Sequence, residues 1–418
     1  MVTNTYLREL ITHTQKALNI CSKNTKIYQH LGELYKIQKD FEQASYYYIE
    51  AIKLSPAPSS CFYSLHFTLQ AMNWFGGCSD THLIEDGVLA LRQVVQENSD
   101  FNFSKIVLGE LLAQQGNIEE ATSYYRSASY HQTMLSHPEL VKKSWDNSFQ
   151  RQPNFLIVGF PKCGTTSLYS YLASHPKILP TATKEIRQIN LSEMREIDLY
   201  LSHFPTITDS SYLTFEASPS SILFPKFLRD LSKHLSKTKV IILLRNPVNR
   251  SISEFYFAQK ILNIRSPTYF EESVDSLLNS EDPCSIFELL SRFSLYLTDE
   301  TSLKQVPNFY QDEKILQNGI LPHILGSFYI YYLKAWLQYF SKEKVLILQS
   351  EDLFQKPVEV MEKVYEFLGL ATHALSQYHN SNPNTYPLVS KKCRNQMENL
   401  FRPYNQQLES YLDMQFNW

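Results

Sequence analysis

The residues with the clearest chemical intent lie between Gly159 and Ser167, in the run Gly159-Phe160-Pro161-Lys162-Cys163-Gly164-Thr165-Thr166-Ser167. Two glycines bracket a short loop, and hydroxyl residues follow where an apolar helical period begins at Leu168. A loop entering a helix in this way offers free backbone N–H groups and the positive end of the helix dipole to an anion, most often a phosphate. The spacing is close to the phosphate loop G-x-x-x-x-G-K-[ST], but Thr165 occupies that motif's lysine position. The cation is Lys162, inside the loop, where it would sit beside a terminal phosphate linkage rather than reach along a triphosphate. The plainer reading is a tight strand-to-helix turn with a chance lysine. A second basic turn, Arg245-Asn246-Pro247-Val248-Asn249-Arg250-Ser251-Ile252-Ser253, follows another apolar run. Arg245 and Ser253 are suited to holding one phosphate between a guanidinium fork and a hydroxyl. Arg250 reads equally well as a solvated helix charge.

Both turns need strands to present them. Phe155–Val158 and Lys239–Leu244 are short apolar runs of buried-strand type. Similar runs occur at 344–348 and 212–215, with helical patterns between them. That alternation predicts an α/β domain, a P-loop-like parallel sheet flanked by helices, with ligands at the C-terminal strand ends. The first 140 residues show helical period and no strand pattern. In residues 25–58, Tyr28, Leu31, Gly32, Tyr35, Ala44, Tyr48, Ala51 and Pro56 fall at the spacing of a tetratricopeptide (TPR) repeat. A second match holds Leu108, Gly109, Leu112, Ala121, Tyr125 and Ala128. Between them, Cys61–Phe75 and Thr81–Glu97 read as a degenerate helix pair, and 4–20 as an opening helix. This region resembles a tetratricopeptide domain, which implies either a protein-binding surface or a structural extension. The expected organisation is a helical-repeat domain at 1–140, a linker at 141–153 and an α/β domain at 154–418. The polar stretch Ser266–Ile315 reads as a candidate lid or binding loop, and equally as a helical excursion or disorder.

Composition narrows the function. With 418 residues and 43% hydrophobic content the chain can bury more than one core. A net charge of −3 gives no basic surplus for nucleic acid. The opening MVTNTYLRELITHTQKALNI lacks a secretory core, and no uncharged apolar run reaches the about eighteen residues of a membrane span. The expectation is a cytoplasmic protein. The six cysteines have no metal-type spacing, and no metal is expected.

PKCGTTSL, followed about eighty residues later by RNPVNRSISEF, resembles the PAPS-dependent sulfotransferase family. Phe215–Ser220 (FEASPS), Ser350–Phe354 (SEDLF) and Phe367–Leu370 (FLGL) extend the resemblance, which is to the heparan and carbohydrate branch and its bacterial members. It implies PAPS (3′-phosphoadenosine 5′-phosphosulfate) as co-substrate and in-line transfer of a sulfuryl group to an acceptor hydroxyl of a saccharide or other metabolite. Lys162 would stabilise the leaving phosphate oxygen. Gly164, Thr165, Thr166 and Ser167 would hold the 5′-phosphate, with Cys163 a small filler in that loop, and Arg245 and Ser253 would hold the 3′-phosphate. Glu185, in Lys184-Glu185-Ile186-Arg187, matches the family's catalytic glutamate. The His-Phe-Phe that commonly accompanies it is absent, and the Glu-x-Arg spacing through Arg187 is similar to the tyrosylprotein branch. His203 and Glu216 are secondary candidates for acceptor or base positioning. The family's Lys-x-Gly-Arg-Thr-like loop corresponds to His379–Pro387, which lacks the lysine and arginine; Lys391, Lys392 or Arg394 are the candidates to replace them. Two other readings stand beside this one. A nucleotide-dependent phosphoryl transferase would require a lysine after Gly164 and an acidic strand end, where Thr165 and Arg245 stand. A partner-binding scaffold with an inactive transferase domain is favoured by the altered loops and opposed by Lys162, Arg245 and Ser253.

Overall fold

In the computed structural model, described over residues 4–74, 78–149, 151–186, 194–223, 232–261, 269–279, 320–383 and 385–418, the chain begins with eight helices. They are α1 (Asn4–Ile20), α2 (Thr25–Gln38), α3 (Phe41–Leu54), α4 (Ser60–Trp74), α5 (Thr81–Glu97), α6 (Asn102–Gln114), α7 (Ile118–Ser136) and α8 (Pro138–Ser144). Next come β1 (Phe155–Gly159), α9 (Thr165–Ala173), β2 (Ile178–Pro180), α10 (Met194–Leu201), β3 (Leu213–Ala217), β4 (Lys239–Leu244) and α11 (Pro247–Ile261). The remainder is α12 (Tyr269–Leu278), α13 (Leu321–Leu325), α14 (Tyr329–Tyr339), β5 (Val345–Gln349), α15 (Ser350–Gln355), α16 (Pro357–Leu368) and α17 (Lys391–Leu412). Most of Ser266–Ile315 lies outside the described residues. The chain divides into two compact units.

The first unit comprises 1–151 with 179–183 and 193–212. Four of its helices, α2, α3, α5 and α7, start on Asn or Asp caps: Asn24, Asp40, Asp80 and Asn117 each accept an N–H of the following turn. α2 packs on α3 and α6 on α7, and the two pairs close in the same way. A Cβ on Gly32 would lie 2.5 Å from the Tyr48 ring, and one on Gly109 would strike Tyr125. The small residue is what lets the ring of the next helix lie against the backbone. Between the pairs, α4 packs mainly on α3 and α5 on α6, filling one core around Tyr48, Phe62, Leu91, Leu108 and Leu111. The start of the stretch read as a linker is the second half of α8, and the Leu140 and Val141 of that helix join Leu179 and Ile207 in a smaller cluster. His203 also belongs to this unit. Its ring stacks on Tyr125 at 3.9 Å, and burial, followed by the nearby His66, pushes its pKa down to about 3.

The second unit comprises 152–178, 184–192 and 213–418. The sheet order is β2-β3-β1-β4-β5, with β3, β1, β4 and β5 paired in parallel. β1 is buried throughout, as its unbroken apolar run requires of a central parallel strand. Trp336 on α14 is buried in the core and donates to the Ile222 carbonyl.

Gly32→Ala and Gly109→Ala should each destabilise the helical unit by about 1–3 kcal/mol through overpacking. Thermal unfolding followed by circular dichroism should show the midpoint lowered in both. An unchanged midpoint in either variant would contradict the ring-on-glycine packing.

Candidate functional site

Strand register brings the two anion turns together. β1 and β4 run side by side with Gly159 opposite Leu243. Gly159 has φ +141°, and a Cβ there would come within 3.0 Å of the Leu243 backbone nitrogen, so only glycine permits this approach. The chain leaving β1 turns through Lys162 at φ 72° and Gly164 at φ 91° before α9 begins. Gly164 is the N-cap and provides no side-chain cap, so the first-turn N–H groups of α9 have no capping side chain at that position. From the neighbouring turn, Arg245 Nη1 donates to the Lys162 carbonyl at 2.9 Å. Tyr329 donates to the Arg245 carbonyl at 2.7 Å, and Glu351 accepts the Asn246 N–H at 2.9 Å. Lys162 and Arg245 thus face one cavity of about 420 Å³.

Gly164, Thr165, Thr166 and Ser167 line one end of that cavity, and Arg245 and Ser253 line it from the other turn. Glu185 lines it as well. Outside helix C-caps, the non-glycine residues of positive φ among the described residues are Lys162 and Glu185, at 72° and 64°. Strained backbone of this kind persists where surrounding structure imposes it and concentrates at working sites. The Lys162 ammonium lies 3.8 Å from the Phe257 ring centroid, in cation–π contact. Lys184 and Glu185 form an ion pair, each about one-fifth exposed.

The other candidates are placed differently. The Cys163 thiol is fully buried, 4.0 Å from the Tyr329 hydroxyl, and does not line the cavity. Burial pushes its pKa up to about 12 against the opposing pull of Arg250 and Arg245. Glu216 is buried on β3 and accepts a hydrogen bond from Ser218. His203 lies in the helical unit. Arg187 lies outside the described residues. Arg250 is neither a solvated charge nor a cavity residue: it is buried, donating to Ser327 Oγ at 2.6 Å and to the His323 carbonyl.

Several cavity residues were not anticipated. Asn249 and Phe257 continue the four-residue series of Arg245 and Ser253, a spacing that was visible in the sequence. Asn380, Asn382 and Tyr386 come from the His379–Pro387 loop. That loop is tied to both turns: the Ser381 N–H donates to Ser167 Oγ at 3.0 Å, and Tyr386 shares a 2.7 Å hydrogen bond with Ser253. Lys391, Lys392 and Arg394 do not line the cavity. Lys392 lies 3.7 Å from Asp275, and Arg394 donates to Asn249 at 3.0 Å. Among the described residues no group of three or more His, Cys, Asp or Glu could hold a metal ion, and no helix is long and apolar enough to cross a membrane.

A family profile described as Sulfotransferase domain matches residues 152–402, and one described as Tetratricopeptide repeat matches 25–58. Membrane-associated sulfotransferase kil1 of Dictyostelium discoideum is 27% identical over 314 residues, covering 64% of this chain and 66% of that protein. Bifunctional heparan sulfate N-deacetylase/N-sulfotransferase 4 of Mus musculus is 28% identical, covering 53% and 23%. Carbohydrate sulfotransferase 15 of the same species is 28% identical, covering 52% and 44%. The chain therefore spans less than two thirds of the length of each of these relatives. Among solved structures, a sulfotransferase from Alicyclobacillus acidocaldarius matches with a TM-score of 0.43 and 22% identity, over 64% of this chain and 98% of that one.

Iodoacetamide at pH 8 should modify exposed Cys21 and leave Cys163 unmodified in the folded protein, as read by peptide mass spectrometry. Cys163→Ala should retain nucleotide binding. Rapid modification of Cys163 would contradict its assignment as an inert filler.

Proposed function

The chain belongs to the sulfotransferase family, and from that premise we propose that it transfers a sulfuryl group from PAPS to a hydroxyl of a saccharide acceptor. The observation that carries the reading is a single cavity lined by both anion turns, with Lys162 and Glu185 opening into it from strained backbone. The names of the heparan sulfate and carbohydrate relatives support the acceptor class.

The two turns divide the work. The 5′-phosphate sits on the N–H groups of Gly164, Thr165 and Thr166, with the Thr and Ser167 hydroxyls beside it. The 3′-phosphate sits on Arg245 and Ser253. Arg245 has five N–H donors, so its bond to the Lys162 carbonyl leaves others for phosphate. Tyr386 and Asn249 flank that position. The uncharged His379–Pro387 loop here brings amide and phenol groups where the family's pattern brings lysine and arginine.

Transfer breaks the bond between sulfur and the bridging oxygen and forms one between sulfur and the acceptor oxygen. The electron pair of the broken bond remains on the 5′-phosphate oxygen, where the Lys162 ammonium meets the growing charge. To do so the ammonium leaves the Phe257 ring. The acceptor proton passes to Glu185. The Lys184 ammonium is ion-paired with that carboxylate.

We assign the protein to the cytoplasm; the free thiols of Cys21, Cys61, Cys78, Cys163 and Cys393 suit a reducing compartment. The helical unit is proposed as a protein-binding surface. The tyrosylprotein alternative rests on Arg187 and enters as one arm of the test.

Transfer of labelled sulfate from PAPS should be measured on desulfated heparan, desulfated chondroitin and a tyrosine peptide. Labelling of a polysaccharide supports the reading, labelling of the peptide alone replaces the acceptor class, and no labelling contradicts it. Lys162→Ala should lower kcat by about 10²–10³-fold, the usual cost of removing a donor to a developing oxyanion, while adenosine 3′,5′-bisphosphate (PAP) still binds. Arg245→Ala should weaken PAP binding by about 10–100-fold, the scale of a lost hydrogen bond to a charged group; calorimetric titration reads this directly.

A further inference from the structure

Glu216 is a buried carboxyl that the transfer chemistry above does not use. It stands at the C-terminal end of β3, opposite Leu156 of β1, with 2% of its surface exposed. The groups around it come from three elements. Its own strand end supplies the Ser218 hydroxyl, which donates to Glu216 Oε1. α9 supplies Tyr169, whose phenol is neutral because burial and the Glu216 charge both raise its pKa, to about 12. The segment after β2 supplies the Lys184 ammonium, the Glu185 carboxylate and the Ile186 N–H. Burial pushes the Glu216 carboxyl up to about 7, while Ser218, Lys184 and the Ile186 N–H oppose the rise and Glu185 adds to it.

The Lys184 ammonium, ion-paired with Glu185, and the Glu185 carboxylate both act on the charge of Glu216. The backbone at Glu185 is strained, with φ 64°, and the adjoining Ile186 N–H is directed to Glu216 on the rigid sheet. Two carboxylates drawing on one ammonium hold a proton between them more readily than one carboxylate with an ammonium of its own.

We propose that Glu216 is a positioning residue for Glu185: it tethers the strained turn through the Ile186 N–H and shares the Lys184 ammonium, so that an acceptor's proton is taken up by a coupled pair of carboxyls. This rests on the reading of Glu185 as the base. The proton leaves the acceptor for Glu185 as the new sulfur–oxygen bond forms, and the charge then remaining on the pair is held by Lys184.

The test uses the full chain, with Glu216→Gln, Glu185→Gln and the double variant, and with Glu216→Asp as the conservative replacement. Gln keeps the shape and removes the charge. The first readout needs no acceptor. A carboxyl whose folded pKa lies above its unfolded value binds more protons in the folded state, so it makes stability fall as pH rises from about 4.3 towards and beyond 7. The unfolding midpoint of the wild type should accordingly fall relative to Glu216→Gln between pH 5 and 8. The two single substitutions should be non-additive in the double variant at pH 8. Additive shifts at every pH would overturn the coupling even if no acceptor is ever found. The second readout uses the polysaccharide labelled best by the wild type. Glu216→Gln should lower kcat at least tenfold, leave KM for PAPS unchanged and displace the pH dependence of kcat near neutrality, with Glu216→Asp recovering part of the rate. An equal loss at every pH with no recovery marks a merely structural role and overturns the proposal. Failure of the wild type to label any acceptor, with the midpoint coupling intact, counts against the proposed reaction and not against the pairing.

Discussion

The hydrogen bond from Arg245 to the carbonyl of Lys162 joins two turns that the chain separates widely. It exists because β1 and β4 are hydrogen-bonded neighbours in a parallel sheet, so their C-terminal ends emerge side by side. Gly159 makes the approach possible by having no side chain to place against Leu243. Everything proposed for the cavity follows from that adjacency. One turn offers helix N–H groups and an ammonium, the other a guanidinium and hydroxyl, and a nucleotide with phosphates at both ends suits the pair.

Rigid parts hold strained parts in this arrangement. Lys162 and Glu185 adopt left-handed backbone, which is worth about 1–2 kcal/mol against an ordinary L-residue. Near Lys162 the restraint is the Arg245 bond, itself braced by Tyr329 and Glu351. Beside Glu185 lie its ion pair with Lys184 and the Ile186 N–H that bonds to sheet-borne Glu216. Arg250 contributes from beneath, buried and bonded to Ser327 and the His323 carbonyl, so a residue with the look of a ligand-binding cation is instead part of the frame.

The strands β1 and β4 were legible because central parallel strands are apolar on both faces, and β5, at the sheet edge, because its apolar run is equally short and unbroken. β2 was not: Ile178–Pro180 is too brief to show a period. The helical unit was legible from glycine and tyrosine spacing, since close helix contact demands a small residue opposite a ring. Lys162, Arg245 and Ser253 were legible as cavity residues because the turns that carry them are local, and Glu185 because its segment resembles the family's pattern. Asn380, Asn382 and Tyr386 were not, because their place is set by contacts such as Ser381 to Ser167, 214 residues apart. The same holds for His203, whose buried ring against Tyr125 reflects core packing that no local pattern announces.

The most direct measurement is a crystal structure with adenosine 3′,5′-bisphosphate bound. The account requires a single nucleotide spanning the cavity, its 5′-phosphate on the N–H groups of Gly164 to Thr166 and its 3′-phosphate on Arg245 and Ser253. A nucleotide bound elsewhere, or one whose 3′-phosphate points to solvent with Arg245 still engaged only by the Lys162 carbonyl, would contradict it.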